Sequence, residues 1–269
     1  MAETLSSGFV TSHARDGVGI LTLNRPPQNR VTLKAFEDLV AGCRTHIHNG
    51  CRAIMFRADG PDFCLGGDFR TWKVLDTHEK RRERFMTSNA LLNMIESLPV
   101  PTVTCVHGRA YGGGFELALH TDLIIAAESA SFRFSELTLG VMPLAGGVQR
   151  LAERAGRTVA ARMVMLSEEV SAPDALAMNL ITKVLPDATH ADECFRLCRE
   201  LGQGPTRAQA MTKNLLAAWS TGGVRLADEV MLEHVANILV TEDAKRGITS
   251  ATEAFEKGHE RPPVDWTGN

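Results

Sequence analysis

Glu116 lies three residues after Gly113 in the segment Gly108-Arg109-Ala110-Tyr111-Gly112-Gly113-Gly114-Phe115-Glu116-Leu117. Three consecutive glycines there follow a strand-like run over 102–106 and open a helix-like run over 115–120. Glycine has no Cβ, so the backbone can come close to a ligand. The N–H groups of a helix's first turn have no intrahelical partner, and such a turn holds negative charge. A carboxylate three residues further on shares that helix face. The pairing suits a reaction in which a carbonyl oxygen gains charge while a proton moves nearby.

A second glycine cluster, Phe63-Cys64-Leu65-Gly66-Gly67-Asp68, also follows a strand-like run. Taken alone it reads as a tight turn. Taken with the first cluster it reads differently, because neighbouring parallel strands bring their C-terminal loops to one sheet edge. Two N–H donors can then converge on one oxygen. Glu136, in Ser135-Glu136-Leu137-Thr138-Leu139-Gly140, supplies another carboxylate at the start of a short helix. By itself it would pass for a solvent-facing glutamate that complements the helix dipole. Glu116 has a weaker ordinary reading as a capping-box glutamate, since Gly113 lacks the hydroxyl that completes the box. Its neighbours Phe115, Leu117, Ala118 and Leu119 also argue against a purely solubilising role.

The elements that must position these residues follow from periodicity. Residues 9–14 and 18–23 read as a hairpin around Asp16-Gly17. Thr32 reads as the N-cap of a helix to about residue 48, with Leu33, Phe36, Leu39 and Val40 on one face. A strand over 52–57, a helix over 80–97, strands over 102–106 and 123–127, and a short strand near Phe132 follow. Beyond Gly146-Gly147 the pattern is helical: 148–155, 158–166, 172–178, 190–201, 206–220, 224–241 and 243–257. Strands alternating with helices, then a helical tail, indicate an α/β core with an α-helical appendage. The tail carries Trp219, Leu226, Met231, Leu232, Val235, Ile238 and Leu239, more apolar surface than an isolated tail would keep, so it reads as an interface.

The chain has 269 residues, 44% apolar and 23% charged, an ordinary globular balance able to form one large core. A net charge of −3 gives no sign of nucleic-acid binding. The basic cluster Lys80-Arg81-Arg82-Glu83-Arg84 reads as a solvated helix face. Residues 1–9 resemble neither a secretory signal nor a transit peptide, and no apolar run is long enough for a membrane span, so a cytoplasmic protein is expected. Six scattered cysteines without a C-x-x-C read as reduced, buried thiols rather than a zinc site. Dinucleotide, P-loop, G-x-S-x-G and H-E-x-x-H signatures are absent, and His78-Glu79 and His259-Glu260 lack a second histidine.

On these residues the chain resembles the enoyl-CoA hydratase/isomerase (crotonase) superfamily almost end to end. The similar stretches are 17–26, 63–68, 108–117, 134–140, 146–151 and 253–257. The resemblance implies a crotonase-like spiral of ββα units over residues 1–200. A C-terminal α-helical trimerisation region would follow over 201–269, giving a homotrimer or a dimer of trimers. It implies an acyl-CoA thioester substrate, an oxyanion hole formed by the Gly67 and Gly113 N–H groups, and Glu116 and Glu136 as the acid–base pair. Leu65, Gly66, Asp68, Tyr111 and Gly112 would line the site, and Arg25 and Arg70 would meet coenzyme A phosphates. Coenzyme A would be part of the substrate, with no metal or redox cofactor needed. Retention of both acids favours hydration of trans-2-enoyl-CoA to 3-hydroxyacyl-CoA. Double-bond isomerisation, decarboxylation and a non-catalytic RNA- or partner-binding module are the alternatives.

Several positions depart from the common family pattern: Leu65 for alanine, His107 for asparagine, Tyr111 for an aliphatic residue, and Asn29-Arg30-Val31 for Asn-Ala-Leu. His107 reads as structural. Tyr111 reads either as core or as an acyl contact. These departures leave the acyl group open.

Overall fold

A computed structural model describes residues 5–6 and 8–269. Strand β1 (Leu5–Ser6) pairs antiparallel with β2 (Val10–Arg15), and β2 pairs antiparallel with β3 (Val18–Leu23). Asp16 and Gly17 both take positive φ in the turn between β2 and β3, as an Asp-Gly hairpin turn requires. Helix α1 (Leu33–His48) begins where the Thr32 hydroxyl accepts the Ala35 N–H at 3.3 Å. It returns the chain to β4 (Ala53–Ala58), parallel to β3. Helix α2 (His78–Glu96) is capped by Thr77 and starts two residues before the expected position.

The remaining turns repeat one plan. Strands β5 (Thr102–Val106) and β6 (Arg109–Tyr111) lead to α3 (Gly113–Leu119). Strands β7 (Leu123–Ala127) and β8 (Ser131–Arg133) lead through a 3-10 turn (Glu136–Leu139) to α4 (Gly147–Ala155) and α5 (Arg157–Met165). Each turn gives its first strand to a seven-stranded sheet, β1-β2-β3-β4-β5-β7-β10, and its second to a small sheet, β6-β8-β9. The last members are β9 (Glu169–Ser171), α6 (Ala172–Ala177), β10 (Lys183–Leu185) and α7 (His190–Gly202). This is the expected spiral of ββα units. Strands β6, β9 and β10 have three residues each, too few for periodicity to reveal them.

Strand β4 explains why the parallel strands read as unbroken apolar runs. Ile54 and Phe56 face the main core with Leu39, Leu92 and Ile95. Ala53 and Met55 face the α7 layer with Cys194, Phe195 and Cys198. Both faces are covered, as parallel sheets require. All six cysteines are buried and unpaired. His190, one turn before Cys194, brings its Nε2 to 3.4 Å from Cys105 Sγ.

The two helices expected over 206–220 and 224–241 are both present and meet end to end as α8 (Thr206–Leu239), with non-helical backbone at Gly223 (φ 70°) where they join. Helix α9 (Glu242–Lys257) follows. The chain end folds back so that Asp243 accepts the N–H groups of Thr267 and Gly268, and Arg52 donates to the Trp266 carbonyl. Trp219, Met231, Leu232, Val235 and Leu239 are exposed in the single chain, the largest at 68%. Among the described residues no helix is long and apolar enough to cross a membrane.

Candidate active site

The two glycine clusters meet as the strand pattern requires. The segment before Gly66 zips onto β6: the Cys64 N–H donates to Arg109 O, and the Tyr111 N–H donates to Cys64 O at 2.8 Å. On its other side, the Val31 N–H donates to Gly66 O and the Asp68 N–H to Val31 O. Gly66, at φ 94°, is thereby pressed against Gly112 and Gly113. A Cβ on Gly66 would lie 3.3 Å from Tyr111 O, and one on Gly113 would lie 3.2 Å from the Gly67 nitrogen. A side chain on either would crowd that approach, and at Gly66 the positive φ also favours glycine.

The Gly67 and Gly113 amides are therefore neighbours. Neither N–H donates to another described backbone group. The carbonyl of each one's peptide is already engaged, Gly66 O by the Val31 N–H at 3.0 Å and Gly112 O by the Glu116 N–H at 2.8 Å. Both peptide planes are thus held before any ligand arrives. Two such donors can stabilise a carbonyl oxygen on which charge develops.

Glu116 is 3% exposed on α3, next to Phe115, whose ring packs on Phe132 and Phe134. Its Oε1 accepts the Ala145 N–H at 2.7 Å and the Gly147 N–H at 3.0 Å. It caps nothing on its own helix. A Cβ on Gly147 would lie 2.8 Å from Glu116 Cγ, which is why glycine stands there. Burial pushes the Glu116 carboxyl from 4.5 up to about 7; the two amides oppose that rise and Glu136 adds to it.

Glu136 is half-buried, not solvent-facing. Its Oε1 lies over Gly112, where a Cβ would fall 2.5 Å away, and its Oε2 is buried without a protein partner. Burial raises this carboxyl too, against the pull of the Glu136 and Ser135 amides. Two carboxyls that resist ionisation therefore sit beside two open amides, the setting in which one acid stays protonated while the other accepts a proton.

The other expected site residues divide. Leu65 is half-buried beside the paired glycines, and its N–H donates to Gln28 O. Asp68 is committed internally: it takes a two-pronged pair from Arg70 at 2.7 and 2.8 Å, accepts the Arg70 N–H and lies 3.9 Å from Arg25. Arg25 also stacks over Phe9, 4.5 Å from the ring centroid. Both expected phosphate contacts are thus tied to Asp68. Tyr111 brings its backbone, but not its ring, to the glycines. Ala110, Phe132 and Val170 form the buried face of the small sheet, and Tyr111 lies on the opposite face in register with Arg133 and Glu169. The core reading of Tyr111 is corrected accordingly. His107 donates to or accepts from nothing in the site; its Nε2 meets Gly60 O at 2.8 Å.

Sequence reasoning missed three participants. The amides of Ala145 and Gly147 hold Glu116, and the pair Gly146-Gly147 was their only local signal. Arg30 donates from Nη1 to Leu65 O at 2.9 Å and Gly67 O at 3.3 Å, bracing the first glycine loop. No group of three or more histidine, cysteine, aspartate or glutamate side chains suited to a metal ion occurs among the described residues.

Paired backbone donors flanked by acids are suited to a reaction in which a carbonyl oxygen gains charge. Residues 13–260 match the family model described as enoyl-CoA hydratase/isomerase. The chain belongs to the enoyl-CoA hydratase/isomerase family. An enoyl-CoA isomerase/hydratase of Mycosarcoma maydis is 33% identical, over 79% of this chain and 76% of the relative. The 1,2-epoxyphenylacetyl-CoA isomerase of Escherichia coli is also 33% identical, over 79% of this chain and 83% of its own. The crystal structure of an enoyl-CoA hydratase from Geobacillus kaustophilus shares the fold at a TM-score of 0.90 and 24% identity, with both chains fully covered.

Proposed function

We propose that the chain hydrates trans-2-enoyl-CoA thioesters to 3-hydroxyacyl-CoA. The observation that carries this reading is the pair of glutamates, both raised by burial, beside the Gly67 and Gly113 amides. The thioester oxygen accepts both N–H groups, and density drawn from the double bond collects there as enolate-like charge. Donors aimed at charge that appears only during reaction lower the barrier selectively. Water adds at Cβ. Glu116, with Oε1 held by two amides, takes a proton from that water through its other oxygen. Glu136 delivers a proton to Cα. No metal or redox cofactor enters the proposed reaction, and coenzyme A arrives with the substrate.

With crotonyl-CoA the purified protein should remove the absorbance of the conjugated thioester. Glu116→Gln and Glu136→Gln should each lower kcat by at least about a hundredfold, the usual scale for a lost acid–base group. A wild-type protein inert toward enoyl-CoA thioesters would overturn the assignment.

Isomerisation is the second reading, because both 33% identical relatives carry isomerase in their names. It needs the same enolate but moves a proton between carbons without adding water. Turnover of trans-3-enoyl-CoA exceeding that of the trans-2 compound would select it. The exposed apolar residues of α8 support a trimer as the working assembly. Light scattering on the purified protein tests that state.

A further inference from the structure

The loop that grips Glu116 is itself held from behind, peptide by peptide. The Ala145 N–H belongs to the peptide whose carbonyl is Leu144 O, and that oxygen accepts Asn89 Nδ2 at 2.9 Å. The Gly147 N–H belongs to the peptide whose carbonyl is Gly146 O, and that oxygen accepts Arg150 Nη1 at 3.3 Å. Each amide that binds Glu116 is thus backed by one side-chain donor across its own peptide unit. A bond to the carbonyl fixes the plane and polarises the amide, which makes its N–H a stronger donor.

Arg150 is fixed in turn. Its Nε bonds Glu96 Oε1 at 3.0 Å and its Nη2 bonds Asn93 Oδ1 at 2.9 Å. Asn89, Asn93 and Glu96 recur at i, i+4 and i+7, one stripe of α2. Asn89 is further anchored by its bond to Phe85 O at 2.8 Å. Helix α2 therefore grips the Glu116-binding loop through a row of polar side chains that the proposed chemistry leaves unused.

We propose that Asn89 and Arg150 are positioning residues for Glu116: they fix the two peptide planes that orient its carboxylate, and Asn93 and Glu96 fix Arg150. The proposal deepens the reading of Glu116 as an acid–base group and rests on it.

The charges facing Glu116 give the effect a sign. Arg150, from α4, favours the carboxylate, and Glu136, from the 3-10 turn, opposes it. His120, on α3 itself, bonds the Glu116 carbonyl oxygen through Nδ1 at 2.7 Å. Burial lowers the His120 ring to about 4, so it is neutral above that range. Glu96 and Arg154 stand behind, near His120 and Arg150. Loss of either backing donor weakens the amides, and loss of Arg150 also removes the favourable cation. Both changes make the Glu116 carboxyl hold its proton to higher pH.

The test follows that carboxyl directly, by 13C NMR titration of protein labelled at glutamate side-chain carboxyls, with Glu116→Gln to assign the signal. Asn89→Leu and Arg150→Gln should each move the titration to higher pH, and Arg150→Lys should restore most of the wild-type position. On crotonyl-CoA, kcat of the first two should fall roughly tenfold at pH 6 but less than about threefold at pH 9, with KM nearly unchanged, as a raised base titration dictates. Titrations and pH profiles that coincide with wild type in both variants would overturn the proposal. Should wild type prove inert toward enoyl-CoA, the hydratase reading fails, and the NMR titration still decides the positioning role. If Arg150→Gln does not fold, Asn89→Leu and Arg150→Lys carry the test.

Discussion

Glu116→Gln should cost the enzyme its proposed activity and stabilise its fold. Glu116 is 3% exposed, and burial carries its carboxyl from 4.5 to about 7. The folded chain therefore binds this proton more tightly than the unfolded chain does. Between those two values the native state holds more protons, so stability falls as pH rises through the window. At ~1.36 kcal/mol per pH unit, the full penalty is about 3 kcal/mol, nearly absent at pH 4.5 and complete by about pH 8. That is a large share of the typical 5–15 kcal/mol of roughly marginal protein stability. Glutamine keeps the shape, and its amide oxygen can still accept the Ala145 and Gly147 N–H groups, but it carries no charge. Urea unfolding of both proteins at pH 5 and pH 8, at one protein concentration so that subunit association is matched, measures the difference. The variant should exceed wild type by less than about 1 kcal/mol at pH 5 and by about 3 kcal/mol at pH 8. If the gap between the two proteins is the same at both pH values, burial does not set this carboxyl's titration.

Three further outcomes follow from the geometry. Gly112→Ala places a Cβ 2.5 Å from Glu136 Oε1 at a residue with φ 49°, so kcat should fall by about a hundredfold or more; a variant with wild-type turnover would remove Glu136 from the reaction. Tyr111 lies on the small-sheet face opposite Ala110 and Phe132, beside Arg133 and Glu169, so Tyr111→Phe should leave kcat and KM near wild type in steady-state kinetics. A large rise in KM would put the ring against substrate after all. Arg109 pairs with Asp62 at 2.7 Å and holds that carboxyl below its usual range. Stability from this pair is present above the unfolded carboxylate range and is lost as pH falls through the depressed folded value. Arg109→Gln should therefore be destabilised by on the order of 1 kcal/mol at pH 7, and the gap should narrow in urea titrations as pH falls below the ordinary carboxylate range.

Much of the fold was legible because its signals are local. Thr32 announces α1 through one hydroxyl, and Asp16-Gly17 announces the first hairpin through left-handed backbone. The strands β4 and β7 carry apolar residues on both faces because both faces are covered, which leaves a nearly continuous run to read. Strands β6, β9 and β10 were missed because three residues carry no period. Tyr111 stayed open between core and acyl contact for a related reason: whether a strand residue faces the core depends on its sheet partners, here Arg133 and Glu169, and those lie far along the chain.

The sequence by itself determined the ingredients: two glycine clusters free of Cβ, two carboxylates 20 residues apart, and strands whose order brings their loops to one edge. These are properties of residue type and spacing, which act over a few residues. Tertiary structure alone decided how each acid behaves. Glu116 owes its raised titration to burial, and its orientation to amides 29 and 31 residues away that α2 braces from behind. Desolvation and hydrogen-bond geometry belong to the packed whole, because water is excluded only when distant segments close around the same carboxyl.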